Sequence, residues 1–141
     1  MAEVKIQGLD QVRRRLRALP KNMRNRELGK ALRAGGKLVR DDARRLVPVD
    51  TGLVQKNVAM RTSTGRRAGN ADVKVRIGVL SDRSGRDSGT DAFYWVFQEF
   101  GTSRHPAQPF LRPAFESNKY AALNAITSSL RKGITRQAKK R

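Results

Sequence analysis

The spacing of apolar residues changes at Pro48, and that change governs which elements the chain can build. Before it, Leu9, Val12, Leu16 and Leu19 recur at helical spacing with Arg13, Arg14, Arg15 and Arg17 between them. This predicts a short amphipathic helix stopped by Pro20, with Asp10 suited to its positive end. A longer helix is predicted from about Asn22 or Asn25 to Leu46. Leu28, Leu32, Gly35, Val39 and Leu46 lie on or near one face, with Ala31, Leu38 and Ala43 beside them. Gly35 and Gly36 cost that helix about 1 kcal/mol each relative to alanine. Close packing against another backbone and a kink account for the pair equally well. The residue before a proline avoids the helical region, so the helix ends before Pro48.

After Pro48 the period falls to two. Val47 to Gly52 reads as a tight turn, in which Asp50 or Thr51 accepts backbone N–H bonds and Gly52 tolerates a positive φ. Val54, Val58 and Met60 alternate with Lys56, Ala59 and Arg61, which predicts a strand over 53–61. Residues 62–72 form a loop without an apolar anchor. Val73, Val75, Ile77 and Val79 alternate with Lys74, Arg76 and Gly78, the clearest strand pattern in the chain, over 73–80. Residues 81–91 read as a loop tip. Residues 92–100 hold five of the eight aromatics (Phe 5, Tyr 2, Trp 1) and are the central strand or a short buried helix. Three prolines between His105 and Pro113 demand an extended segment, after which Pro113 opens a last helix. Its stripe is Phe115, Ala122, Ile126 and Leu130, and it ends near Gly133. Val4 to Ile6 is an edge strand or an extended arm. The expectation is one α+β domain over 1–141. Two N-terminal helices and one C-terminal helix pack on a small, mostly antiparallel sheet of three or four strands. The runner-up is a mostly helical protein in which 92–100 is also helical.

Composition narrows the function. With 31 Lys and Arg against 12 Asp and Glu, the 141-residue chain carries +19 and demands an anionic neighbour: nucleic acid, an acidic protein surface or a membrane face. The basic residues are spread out except at the end, where Arg131, Lys132, Arg136, Lys139, Lys140 and Arg141 make a block without an acid. That block is a basic arm over about 131–141, or a solvated tail. Ile134 and Ala138 add an apolar stripe that favours an ordered arm. The first helix (Arg13, Arg14, Arg17) and this arm are the candidate basic contacts. The chain has no Cys and one His, which removes thiolate and His-based metal sites and the usual nucleophilic triads. No apolar run approaches the roughly 20 residues of a membrane span, and Met1 to Lys5 lacks a signal-peptide stretch. A soluble intracellular chain is the expectation.

Candidate chemistry is thin. Asp41 and Asp42 point about 100° apart on a helix and have Arg40, Arg44 and Arg45 around them, so surface ion pairing is the preferred reading. Asp82, Asp87 and Asp91 lack the ligand density of a calcium loop. Gly65 and Gly69 lack the context of a phosphate loop. Glu99, beside the aromatic run, is the acid to watch: if buried it needs a cation, and Arg104 and Arg112 are near in sequence. A structural salt bridge is preferred over a catalytic acid. No helix-turn-helix, zinc finger or RNA-binding signature is present.

Two segments carry a resemblance. Val47-Pro48-Val49-Asp50-Thr51-Gly52-Leu53 follows a basic helix. Phe97-Gln98-Glu99-Phe100-Gly101-Thr102 is followed by Pro106-Ala107-Gln108-Pro109-Phe110-Leu111-Arg112-Pro113-Ala114. Together they resemble the head–tail joining, or tail-completion, family of long-tailed bacteriophages, over essentially the whole chain. Val54 to Asn57 departs from the basic run that family often carries. The resemblance implies a virion structural protein, assembled in the host cytoplasm, and no catalytic residue, cofactor or metal. It implies a homo-oligomeric ring, six-fold favoured, that completes the tail and joins it to the head. The implied partners are a tail terminator or tail tube, a head connector or stopper, and non-specific DNA in the channel. No membrane partner is implied. Pro48, Asp50, Thr51, Gly52, Glu99, Gly101, Thr102, Pro109, Phe110, Arg112 and Pro113 are then fold and assembly residues. The alternative is a basic nucleic-acid-binding protein.

Overall fold

A computed structural model of the chain describes residues 8–48, 52–64, 73–80 and 94–140. Their order is α1 (Leu9–Arg17), α2 (Lys21–Leu46), α3 (Leu53–Asn57), β1 (Val58–Thr64), β2 (Val73–Val79), α4 (Trp95–Phe100) and α5 (Leu111–Lys139). The α+β class holds.

Rows of residues four apart, neighbours on a helix surface, make the frame. On α2 and its end the buried row is Glu27, Ala31, Gly35, Val39, Ala43 and Val47; on α5 it includes Ala114, Ala122, Leu130 and Ile134. The helices run antiparallel, because Asp42 meets Asn118, Gly35 meets Ile126 and Glu27 meets Arg136. A Cβ on Gly35 would lie 2.6 Å from Ile126 Cγ1 and 2.8 Å from the Ala122 carbonyl oxygen. On Gly36 it would lie 2.7 Å from Met60 Sδ on the sheet. The glycine pair is therefore a double close approach, one residue to α5 and one to the sheet. α2 runs unbroken through it.

The sheet among the described residues is a single antiparallel pair, with Val58 opposite Val79 and Thr64 opposite Val73. Met60, Val75 and Ile77 face α2 at Gly36. One core gathers around Val39, Ala43, Val54, Val58, Phe110 and Ala114; a second joins α1 to the far ends of α2 and α5 through Val12, Leu19, Ala31, Leu130 and Ile134. Phe110 and Val58 are fully buried, which stabilises the first core by about 1.5–3 kcal/mol each. Arg24 ties α1 to α2 by donating to the carbonyls of Arg17 and Leu19, both at 3.2 Å.

Several expectations fail for identifiable reasons. Residues 53–57 are helical, not strand: Val54 and Val58, four apart, fit both periods. Asn57 Nδ2 donates to the Leu53 carbonyl at 3.0 Å, closing a turn behind Gly52 at φ 73. The strand continues to Thr64 because pairing with Val73 to Val75 recruits three polar residues. Residues 95–100 form α4, as in the helical runner-up, so the sheet lacks the expected third strand among the described residues. That helix is not buried either, since Phe97 and Phe100 are mostly exposed. α5 begins at Leu111 and passes Gly133 to Lys139. Phe115 faces solvent and Ala114 takes the core position. The polar Asn118 hides the true row: it donates to the Ala114 carbonyl at 2.8 Å and to Asp42 Oδ2 at 2.7 Å. Val4 to Ile6, Asp50, Thr51, both polar loops' interiors (65–72 and 81–91) and Arg141 lie outside the described residues.

Candidate functional site

Residues Phe97 to Thr102 and Pro106 to Ala114 form one corner around Glu99. Gly101 holds φ 75, and a Cβ there would lie 2.7 Å from the Ala107 nitrogen. Only glycine meets both demands. Thr102 closes the next turn: its N–H donates to the His105 carbonyl at 2.9 Å, and its Oγ1 accepts from the His105 N–H at 3.1 Å. The returning segment is pinned by the Gln108 N–H donating to the Gln98 carbonyl at 2.8 Å. Pro109 lies exposed on it, next to the buried anchor Phe110.

Glu99, 8 % exposed, then caps α5. Its carboxylate accepts from the backbone N–H of Phe110 at 2.8 Å, Leu111 at 3.0 Å and Arg112 at 3.1 Å. A helix leaves its first four N–H groups without intrahelical partners. Here three go to Glu99, and Pro113 has none to satisfy. The Ala114 N–H makes the first intrahelical bond, to the Phe110 carbonyl at 3.2 Å. The expected salt bridge to Arg104 or Arg112 is replaced by this cap. A helix N-terminus already offers positive potential and aligned donors to a carboxylate, so no guanidinium is required.

At the opposite end of α5, the two candidate basic segments meet. α1 packs on α5 through Val12 and Ile134, with Arg15 and Arg131 flanking a groove of about 230 Å³. Arg13, Arg14 and Arg17 are exposed, as are Arg131, Lys132, Arg136, Lys139 and Lys140. The expected arm is therefore ordered as helix through Lys139. Its anchor is Ile134; Ala138 is exposed. Arg136 is not a free contact, because its Nη2 donates to both Glu27 oxygens, at 3.3 and 3.2 Å. Gln137 Nε2 adds a third bond at 3.2 Å. Glu27 is 2 % exposed and lies against Gly133, the one residue there without a Cβ to displace it. Sequence reading missed Glu27; the signal was its place in the four-residue row. It also missed Arg61, which stands directly opposite Arg76 on the sheet face turned from α2.

The acidic pair on α2 behaves as ion-pair partners. Arg40 reaches Asp41 at 2.8 Å and Arg45 reaches Asp42 at 2.7 Å. The Arg45 hydrogen bond holds the Asp42 carboxyl below its ordinary pKa, helped by Asn118 and by the Arg45 charge and opposed by burial. Among the described residues no group of acids and histidine is placed to hold a metal ion, and no helix is long and apolar enough to cross a membrane.

Comparison with known families matches residues 10–101 to the model described as "Bacteriophage HK97-gp10, putative tail-component". The chain belongs to the HK97-gp10-like family. The match runs from the second residue of α1 through α4 and takes in the Val47 to Leu53 motif and the Glu99-Phe100-Gly101 corner. It stops before the Pro106 to Ala114 segment that Glu99 caps. No curated protein and no solved structure matches the chain. The family is one of phage tail components, so the phage resemblance of the two motifs holds.

Proposed function

We propose that this chain is a structural, non-enzymatic protein of the virion, at the head–tail junction or proximal tail end. Several copies, six favoured, form a ring that completes the tail and joins it to the head connector. The observation that carries the reading is the family match over residues 10–101. The rigid corner at Glu99 and the basic end where α1 meets α5 fit it: an assembly protein needs fixed surfaces, and a +19 chain needs counter-charge. The partners in this reading are a tail terminator or tail tube on one side and a connector or stopper on the other. The basic end contacts acidic neighbours or passing DNA without sequence preference. Electron microscopy of particles from a deletion strain tests it: unjoined heads and tails, or unfinished tails, are expected. Normal joined particles overturn it.

The basic end also favours a second reading, a nucleic-acid-binding protein. That reading requires tight binding to duplex DNA at about 150 mM salt with a steep salt slope. The neck reading expects weak, non-specific binding.

A further inference from the structure

The described part of the chain hides small residues and shows large ones. Its cores are built on Ala, Val, Leu and Ile with a single buried phenylalanine, Phe110. Phe97, Phe100 and Phe115 are 53 %, 66 % and 56 % exposed, and Val96 is 40 % exposed. Val96, Phe97 and Phe100 stand three and four residues apart, so they share one face of α4. Phe115 lies in the second turn of α5, at the end that Glu99 holds against α4. The face is rigid, because Gly101 and the Glu99 cap fix α4 against α5. Contiguous exposed apolar surface of this kind marks an interaction site.

Charge distribution selects the occupant. From Asp87 through Ser103 the chain has no Lys or Arg, its longest such stretch, and α4 carries only the buried Glu99. The chain as a whole carries +19. An acidic partner already has the chain's basic faces to bind, and this face offers it no charge to pair with. Another copy of this chain, itself +19, is repelled wherever basic faces approach within the Debye length of about 8 Å. It can come close on the uncharged face. Two phenylalanines and a valine about half exposed offer on the order of 300 Å² of apolar area. That is the centre of a standard interface of about 800 Å² per partner, whose core is apolar and whose rim is polar.

We propose that the α4 face of Val96, Phe97 and Phe100 is the surface through which one copy of this chain contacts the next. The inference rests on the ring reading above and adds which face makes the ring. The test places the photo-crosslinker benzoylphenylalanine at position 97 or 100 in phage particles (Phe97→benzoylphenylalanine, Phe100→benzoylphenylalanine). Each replacement is aromatic and exposed, so assembly into particles itself reports folding. Copy number per particle is measured in parallel by quantitative mass spectrometry. Several copies with an adduct of twice the chain mass are the expected result. Several copies with adducts only to a different virion protein, or with none, overturn the face and leave the ring. One copy per particle overturns the ring and the face with it. In solution, Phe97→Ser with Phe100→Ser weakens chain–chain association by about 30-fold or more, as for aromatic hot spots. An unchanged association constant in a variant with the wild-type circular dichroism spectrum counts against the face.

Discussion

Glu99 and Glu27 are buried acids near opposite ends of α5, and they are satisfied in opposite ways. Glu99 takes three main-chain N–H groups, which cannot turn away once the helix is formed. Glu27 takes two side chains, Arg136 and Gln137, with Lys30 Nζ further off at 3.9 Å, and Arg136 is itself half exposed. The first arrangement makes a fixed corner and frees the aromatic face of α4 from any part in the cap. The second closes the basic end with groups that water can replace. A carboxylate bound to backbone defines geometry, whereas one bound to side chains chiefly neutralises charge.

The comparison breaks most visibly at the corner. Glu99→Ala orphans three N–H groups at the start of α5, two of them partly buried and one, that of Phe110, buried. It should cost about 3 kcal/mol, read as a lower midpoint in urea unfolding. A loss below about 1 kcal/mol means that water replaces the carboxylate and the corner is not fixed by it. Next in size is the basic end. Arg136→Ala leaves Glu27 buried with Gln137 and a distant Lys30, at a cost of about 2 kcal/mol, discounted for the exposure of Arg136. Adding Glu27→Gln should recover part of that loss. A double-mutant cycle with no coupling removes the pair from the account.

A smaller effect is pH-dependent. The Asp42 carboxyl is held below its ordinary value by Arg45, so its contribution is complete above the ordinary aspartate range. It is lost as pH falls through the lowered value. Asp42→Asn should flatten that acid limb of the stability profile, measured by urea midpoints between neutral and strongly acidic pH. The smallest effect on folding is expected at the exposed cations. Lys139→Glu with Lys140→Glu should change stability by no more than about 0.5 kcal/mol, yet lower the salt slope of duplex DNA binding if the basic end meets phosphate. Charge reversal at Arg136 is the wrong probe for that contact, because it sets a carboxylate against Glu27.

Much of this protein was legible in its residues. Strict alternation placed β2, apolar spacing placed α1 and α2, and the two motifs identified a phage tail family. These features survive because period and proline are local: they act through φ, ψ and the reach of side chains on one element. Tertiary structure decided what local rules leave degenerate. Val54 and Val58 fit helix and strand alike, and only Gly52 and the contact with α2 choose the turn. Asn118 reads as a break in a stripe until Asp42 arrives from α2 to bind it. Gly35 and Gly36 read as costly positions in α2, and Gly133 as the end of the last helix, until Ile126, Met60 and Glu27 occupy the space their missing Cβ atoms leave. Glu99 calls for a cation by sequence, and the helix it caps supplies the positive end instead. Burial, partner and the sign of a glycine's effect depend on what another segment brings within a few ångströms. That is settled by packing between distant parts of the chain, which no local pattern encodes.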